Sequence, residues 1–118
     1  MAECYRLILT EEFREWLSSE TPRSRYQIDA RLAKIRLDGY FGNHKSVSHE
    51  DKGTLKDHIW ELKFNDGRRI YYAYIPEKNI LLLLGGNKNG QDKDIKKAKN
   101  LFIKNTIKGK ESEKKNTN

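Results

Sequence analysis

The spacing of apolar residues changes period along this chain, and each change marks an element. Tyr5 to Leu9 is a short apolar run before a polar break and predicts a first strand. Thr10 then caps a helix whose first turn carries Glu11 and Glu12, where carboxylates meet the positive end of the helix dipole. Phe13, Trp16 and Leu17 fall at i, i+3 and i+4 and give that helix one apolar stripe, before Ser18 to Thr21 ends it. Thr21-Pro22 is a second start signal: a capping hydroxyl, then proline at the first helical position, where its missing N–H costs nothing. Ile28, Leu32 and Ile35 continue at helical spacing, Arg25, Arg31, Lys34 and Arg36 lie largely off that stripe, and Gly39 closes the helix. The two helices predict a helical hairpin.

Asn43 to Asp57 is polar, charged and without period, and is expected to be a long loop, often a functional one in a compact domain. Beyond it the period becomes two. Trp60, Leu62 and Phe64 alternate with Glu61 and Lys63, as in a half-buried strand. Asn65-Asp66-Gly67 is a turn signal, so Arg69 to Ile75 should return antiparallel. Pro76 to Asn79 makes another turn. Ile80 to Leu84 shows no alternation and predicts a strand buried on both faces. Ile95, Ala98, Leu101 and Phe102 space a last amphipathic helix.

The expected class is α+β in the order β-α-α-β-β-β-α: a helical hairpin on one face of a small, mostly antiparallel sheet, then a C-terminal helix. Residues 1–105 form one domain, and residues 106–118 a disordered, basic and polar tail. Parity puts Lys63, Arg69 and Tyr71 on the face opposite Trp60, Leu62, Tyr72 and Tyr74. The aromatic set is expected in the core, which leaves the cations on a partly open face.

Composition sharpens this picture. Among 118 residues, 24 Lys and Arg stand against 17 Asp and Glu, a net charge of +7 that suits a polyanion. Five of those Lys, with two Glu, fall in residues 104–118, so the placement of the remaining excess matters more than its size. The single Cys excludes an internal disulfide and fits a reducing compartment. No apolar run approaches the roughly 20 residues needed to cross a bilayer, and no basic-then-apolar leader pattern opens the chain. A cytoplasmic protein without membrane contact is expected. His44, His49 and His58 are spaced without metal-ligand logic, so no metal and no cofactor is expected.

Several segments carry a family likeness in the right order: Phe13-Arg14-Glu15-Trp16-Leu17, Ile28-Asp29-Ala30-Arg31-Leu32, Trp60-Glu61-Leu62-Lys63, Gly67-Arg68-Arg69-Ile70-Tyr71-Tyr72, and Leu82-Leu83-Leu84-Gly85-Gly86-Asn87-Lys88 running into Gln91-Asp92-Lys93-Asp94-Ile95. Over about residues 5 to 105 the chain resembles the RelE/ParE superfamily of toxins, closest to the HigB-like addiction-module killer, phage-derived Gp49-like branch. That resemblance implies the toxin of a type II toxin–antitoxin system, a ribosome-dependent and metal-independent mRNA endonuclease that stops translation. It implies a cognate antitoxin, a small helix-turn-helix protein, and mRNA on the ribosome as partners. ParE relatives share the fold and poison DNA gyrase instead, and a non-catalytic RNA-binding remnant of a phage element is a third reading.

The resemblance also implies site residues. Cleavage by the ribose 2′-OH needs cations around the pentacoordinate phosphorane, and Arg69 and Lys88 suit that role. Lys63 stands where the family usually has Arg, keeping charge but losing the bidentate fork; Lys45 matches a loop lysine that binds phosphate or moves a proton. Arg68, Tyr71 and Gln91 are expected to contact RNA, Tyr71 by stacking on a base. Tyr or His on the last helix serves some relatives, and this helix has neither. His44, His49, Tyr71 or Lys45 could substitute, or ribosomal RNA completes the site. Asp94 is expected to cap the last helix, and the arginines of the second helix form a solvated face or receive an acidic antitoxin segment.

Overall fold

The computed structural model describes residues 4–77 and 79–116, with side chains described as far as residue 106. Among these residues the order is β1 (Arg6–Leu9), α1 (Glu11–Ser18), α2 (Pro22–Asp38), β2 (His44–Ser46), β3 (Ile59–Lys63), β4 (Arg68–Ile75), β5 (Asn79–Asn87) and α3 (Gln91–Asn116). The sheet runs β1-β5-β4-β3-β2; β1 lies parallel to β5, and every other neighbouring pair is antiparallel. The expected α+β architecture is thus the observed one.

Local chemistry sets the helix ends. The Thr10 hydroxyl accepts the Phe13 N–H at 3.0 Å, and the Thr21 hydroxyl accepts that of Ser24 at 3.2 Å. Pro22 opens α2, and Gly39 closes it in the left-handed region at φ 68°, a conformation open to a residue without Cβ.

Two cores sandwich the sheet. On one face Phe13, Leu17, Ile28, Leu32 and Ile35 of the hairpin pack on Leu62, Ile70, Tyr72, Ile80 and Leu82. On the other, Ala98, Leu101 and Phe102 of α3 pack on Ile59, Tyr71, Ala73, Leu81, Leu83 and Leu84. The second face is therefore more covered than the expected open surface. The reason lies in β5, whose unbroken apolar run must be buried from both sides. Opposite β4 the register slips: Tyr71 faces Leu84 and Tyr72 faces Leu82, so Leu83 is the extra residue of a bulge. The slip turns both Leu83 and Leu84 toward α3, and the Leu83 carbonyl accepts the Thr10 hydroxyl at 2.9 Å.

Two expectations need correction. The stretch 43–57 is not an unstructured loop: His44–Ser46 adds an edge strand to β3, with Lys45 opposite Glu61, and Gly53–Leu55 forms a 3-10 turn. The stretch from residue 106, expected as a disordered tail, continues the α3 backbone to Asn116; its Lys- and Glu-rich composition suits a helix, and residues 117–118 lie outside the described ones.

Candidate functional site

Alternation along β3 and β4 fixes what meets at the α3 end of the sheet. Glu61 stands opposite Tyr71, and Lys63 opposite Arg69, so Arg69 lies diagonally across from Glu61 on the same face. The Glu61 side chain is fully buried, yet it is a carboxylate that three other elements address. Arg69 Nε lies 3.2 Å from Oε1, Gln91 Nε2 donates to the same oxygen at 2.6 Å, and Lys45 Nζ stands 3.9 Å from Oε2. Arg69 also donates through Nη1 to the Arg68 and Phe64 carbonyls at 2.9 and 3.3 Å. A buried carboxylate persists only with such partners, and in return it fixes the guanidinium. Arg69 retains 14% side-chain exposure and Lys45 retains 52%, so the cluster opens to solvent through its cations.

The paired glycines before α3 explain how Gln91 arrives there. A Cβ on Gly85 would fall inside the Trp16 indole, and one on Gly86 would collide with the Asp94 carboxylate. Trp16 thus seats on one face of β5 and the first turn of α3 on the other, directly beside Arg69, whose β5 partner is Gly86. Asp94 is half-buried in this contact, and desolvation raises its pKa above the ordinary aspartate value. Its position over Gly86 gives it a docking role in addition to its place in the acidic first turn of α3.

The other predicted residues divide. Lys88 is exposed at the end of β5; its N–H donates to the Gly67 carbonyl at 2.8 Å, and its methylenes lie across that turn glycine, at the same sheet end as Arg69. Lys63 is half-buried beside Arg69, bordering a polar cleft shared with Gln27, Arg31 and Asn43. Arg68 points to the opposite face. It pairs with Glu20 at 3.3 Å and with Asp66, and donates to Ser24 Oγ at 2.8 Å, so it ties the β3–β4 turn to the helical hairpin and is not presented to RNA. Tyr71 is also a correction. It is fully buried beneath α3, its hydroxyl has no hydrogen-bond partner, and burial foremost, then Glu61 and Asp94, pushes its pKa well above the ordinary tyrosine value. It can neither stack on a base nor release a proton near neutrality.

Of the two histidines considered, His44 faces the hairpin core, with ring contacts to Phe41 and Trp60, and His49 Nδ1 lies 3.1 Å from Asp57 within the β2–β3 connection. Neither touches the Glu61 cluster. Arg31 leaves the expected solvated face as well: it donates to the Phe41, Lys63 and Asn43 carbonyls at 3.1, 2.7 and 2.8 Å and so clamps the approach to β2 onto the end of β3.

Glu61 is the residue that sequence reading missed. Its alternation with Trp60 and Leu62 reads as a solvated face, and only the arrival of α3 buries it. No cluster of metal-ligating side chains occurs among the described residues, and none of their helices is long and apolar enough to cross a membrane.

Residues 15–105 match the family model of the phage-derived, Gp49-like proteins. A protein of Haemophilus influenzae strain Rd, itself uncharacterised, is 38% identical over 94 residues, covering 76% of this chain and 85% of its own. Among solved structures, the isolated E. coli RelE toxin superposes with a TM-score of 0.52 at 18% identity, over 70% of this chain and 83% of that one. The intact E. coli RelBE toxin–antitoxin complex gives 0.49 at 18% identity, over 70% and 95%. At such identity the RelE likeness is one of fold. The chain belongs to the phage-derived, Gp49-like protein family and is built on the RelE-type fold of the RelE/ParE superfamily.

Proposed function

We propose that this chain is the toxin of a type II toxin–antitoxin module, and that it cuts mRNA on the ribosome without a metal. The observation that carries the reading is the convergence of Arg69, Lys45 and Gln91 on Glu61, with Lys63 and Lys88 at the same end of the sheet. In this reading the 2′-OH attacks the adjacent phosphate, the P–O5′ bond breaks, and a 2′,3′-cyclic phosphate and a 5′-hydroxyl result. Arg69, held by Glu61, and the mobile Lys88 stabilise the phosphorane charge, which is usually the largest single catalytic term. Lys45, an exposed ammonium beside the cluster, supplies the proton to the leaving 5′-oxygen. Glu61 is a positioning residue that aims Arg69. The proton acceptor comes from ribosomal RNA, which accords with a chain whose Tyr71 is buried and whose His44 faces the other core. A cognate antitoxin, a small helix-turn-helix protein, silences it in the cytoplasm.

The pairing of Arg69 with a carboxylate and the burial of Tyr71 also favour a second reading, RNA binding without cleavage.

The deciding experiment maps mRNA 5′ ends by primer extension after the purified protein is added to a reconstituted translation reaction. New ends at A-site codons, lost with Arg69→Ala/Lys88→Ala, are expected. Intact mRNA with blocked elongation would favour binding alone, and intact mRNA with DNA breaks would move the function to gyrase.

A further inference from the structure

The helix α2 carries a second apolar stripe that the fold does not use. Its inward face is Ile28, Leu32 and Ile35, all buried in the hairpin core. On the opposite side Tyr26, Ala30, Ala33 and Leu37 follow at i, i+4, i+7 and i+11, the spacing of a seam that another helix fills. Tyr26 is 78% exposed and Leu37 51%, and Tyr40, just past the helix, is 62% exposed at the end of the same line. Two alanines between larger residues leave a shallow saddle about 16 Å long, at 1.5 Å per residue, into which a partner backbone can approach closely.

The borders of this saddle choose the occupant. Arg23 and Lys34 flank one side and Arg25 the other, all exposed, against one acid, Asp29. Neither Arg23 nor Arg25 pairs with an acidic side chain among the described residues, whereas Lys34 Nζ lies over the Tyr40 ring at 5.8 Å. A second copy of this chain would set arginines against arginines. The chain's own C-terminal stretch, rich in Lys, repeats that clash. Nucleic acid would match the charge but leave the apolar seam in water.

We infer that the outer face of α2 is the docking surface for an acidic, amphipathic helix of a protein partner, with small apolar side chains seated between Tyr26 and Leu37 and Glu or Asp reaching Arg23, Arg25 and Lys34. This surface lies across the sheet from Glu61, so its occupant leaves the cation cluster uncovered. The inference rests on the toxin reading only for the partner's biological role; the docking itself is independent of RNA cleavage.

The test displays a library of 20-residue helices with a fixed Leu/Ala stripe and flanking positions randomised over Glu, Gln and Lys, selected on the full-length protein without ribosomes. Enriched helices are expected to carry Glu at the flanks. As synthetic peptides they should bind at least tenfold more weakly to Leu37→Glu and to Tyr26→Glu, and undiminished to Arg69→Ala. Circular dichroism of the two surface variants should match the parent, since both side chains point into solvent. No enrichment, enrichment of Lys or Gln flanks, or binding indifferent to Leu37→Glu would overturn the inference. So would a dimer in sedimentation that Leu37→Glu dissolves, or RNA binding that the same change abolishes. A negative primer-extension result would leave the docking surface standing.

Discussion

The Glu61 carboxylate reaches the Arg69 guanidinium at 3.2 Å, Oε1 to Nε, under the first turn of α3. Neither residue is independent of the other. Glu61→Gln leaves Arg69 with two backbone carbonyls, and Arg69→Gln leaves a buried carboxylate with Gln91 and a distant Lys45. Each change should lower unfolding free energy by about 1–3 kcal/mol, below the roughly 3–5 of a fully buried pair because Arg69 keeps some solvent. The double variant should lose less than the sum, with a coupling of about 1–2 kcal/mol. Urea denaturation of the four proteins gives the cycle; strict additivity would deny the pairing. Growth arrest should fall in Glu61→Gln even though Arg69 remains.

Arg68 and Arg69 are neighbours in sequence with separate jobs. Arg68→Ala breaks the tether to Glu20 and Ser24 and should cost about 1–3 kcal/mol, as lost charge-assisted hydrogen bonds do. Its arrest phenotype should be temperature-sensitive, intact where the variant remains folded. Arg69→Ala should abolish arrest at every temperature. Equal loss for both in the cold would return Arg68 to the RNA surface.

Tyr71→Phe removes a buried hydroxyl without a hydrogen-bond partner. Stability should hold or rise by up to about 1 kcal/mol, because nothing is left unpaired and an unsatisfied group is removed. Arrest should be unchanged. A loss of arrest in a folded Tyr71→Phe protein would restore the phenol to the chemistry.

The helix caps, the hairpin turn and the two-faced burial of β5 were legible in the sequence because each depends on residues close together in the chain. Thr10, Thr21-Pro22, Gly39 and Asn65-Asp66-Gly67 act on their own neighbours. The edge strand His44–Ser46 was not legible: three polar residues have no period of their own, and only pairing with β3 extends them. Glu61, the centre of the candidate site, was hidden for a related reason. Alternation tells which residues share a face, not which part of that face a distant helix will cover.

Gly85→Ala should destabilise strongly, by about 2–4 kcal/mol, since the new methyl displaces an indole in a packed core. Gly86→Ala meets only the end of the Asp94 side chain, which can swing away. It should cost less stability while shifting the start of α3 and with it Gln91. Thermal melts should separate the two, and arrest should drop in Gly86→Ala at a temperature where it is fully folded. Equal melting temperatures would contradict this packing.

Burial raises the Asp94 pKa in the folded chain above its unfolded value. The sign follows: the folded state holds this proton more tightly, so the group favours folding at low pH, and that contribution is lost as pH rises through the interval just above the ordinary aspartate value. Asp94→Asn should therefore be more stable than the parent at neutral pH, with the gap closing on acidification through that interval. Denaturant midpoints against pH would show it; a gap constant with pH would assign the difference to packing.

The strand Arg6–Leu9 is made first and lies beside the strand made last, with Arg6 opposite Asn79 and Leu9 opposite Leu82. Until residues 79–87 have emerged, β1 has no neighbour, the hairpin core lacks Ile80 and Leu82, and Arg69 lacks the strand that brings Gln91 to Glu61. Sequence-distant pairing of this kind also makes folding slow relative to local helix formation. A chain cut short before β5 is therefore not a smaller working copy. The nascent polypeptide stays harmless to the ribosome that is making it, because the order of synthesis withholds the site until translation is nearly finished.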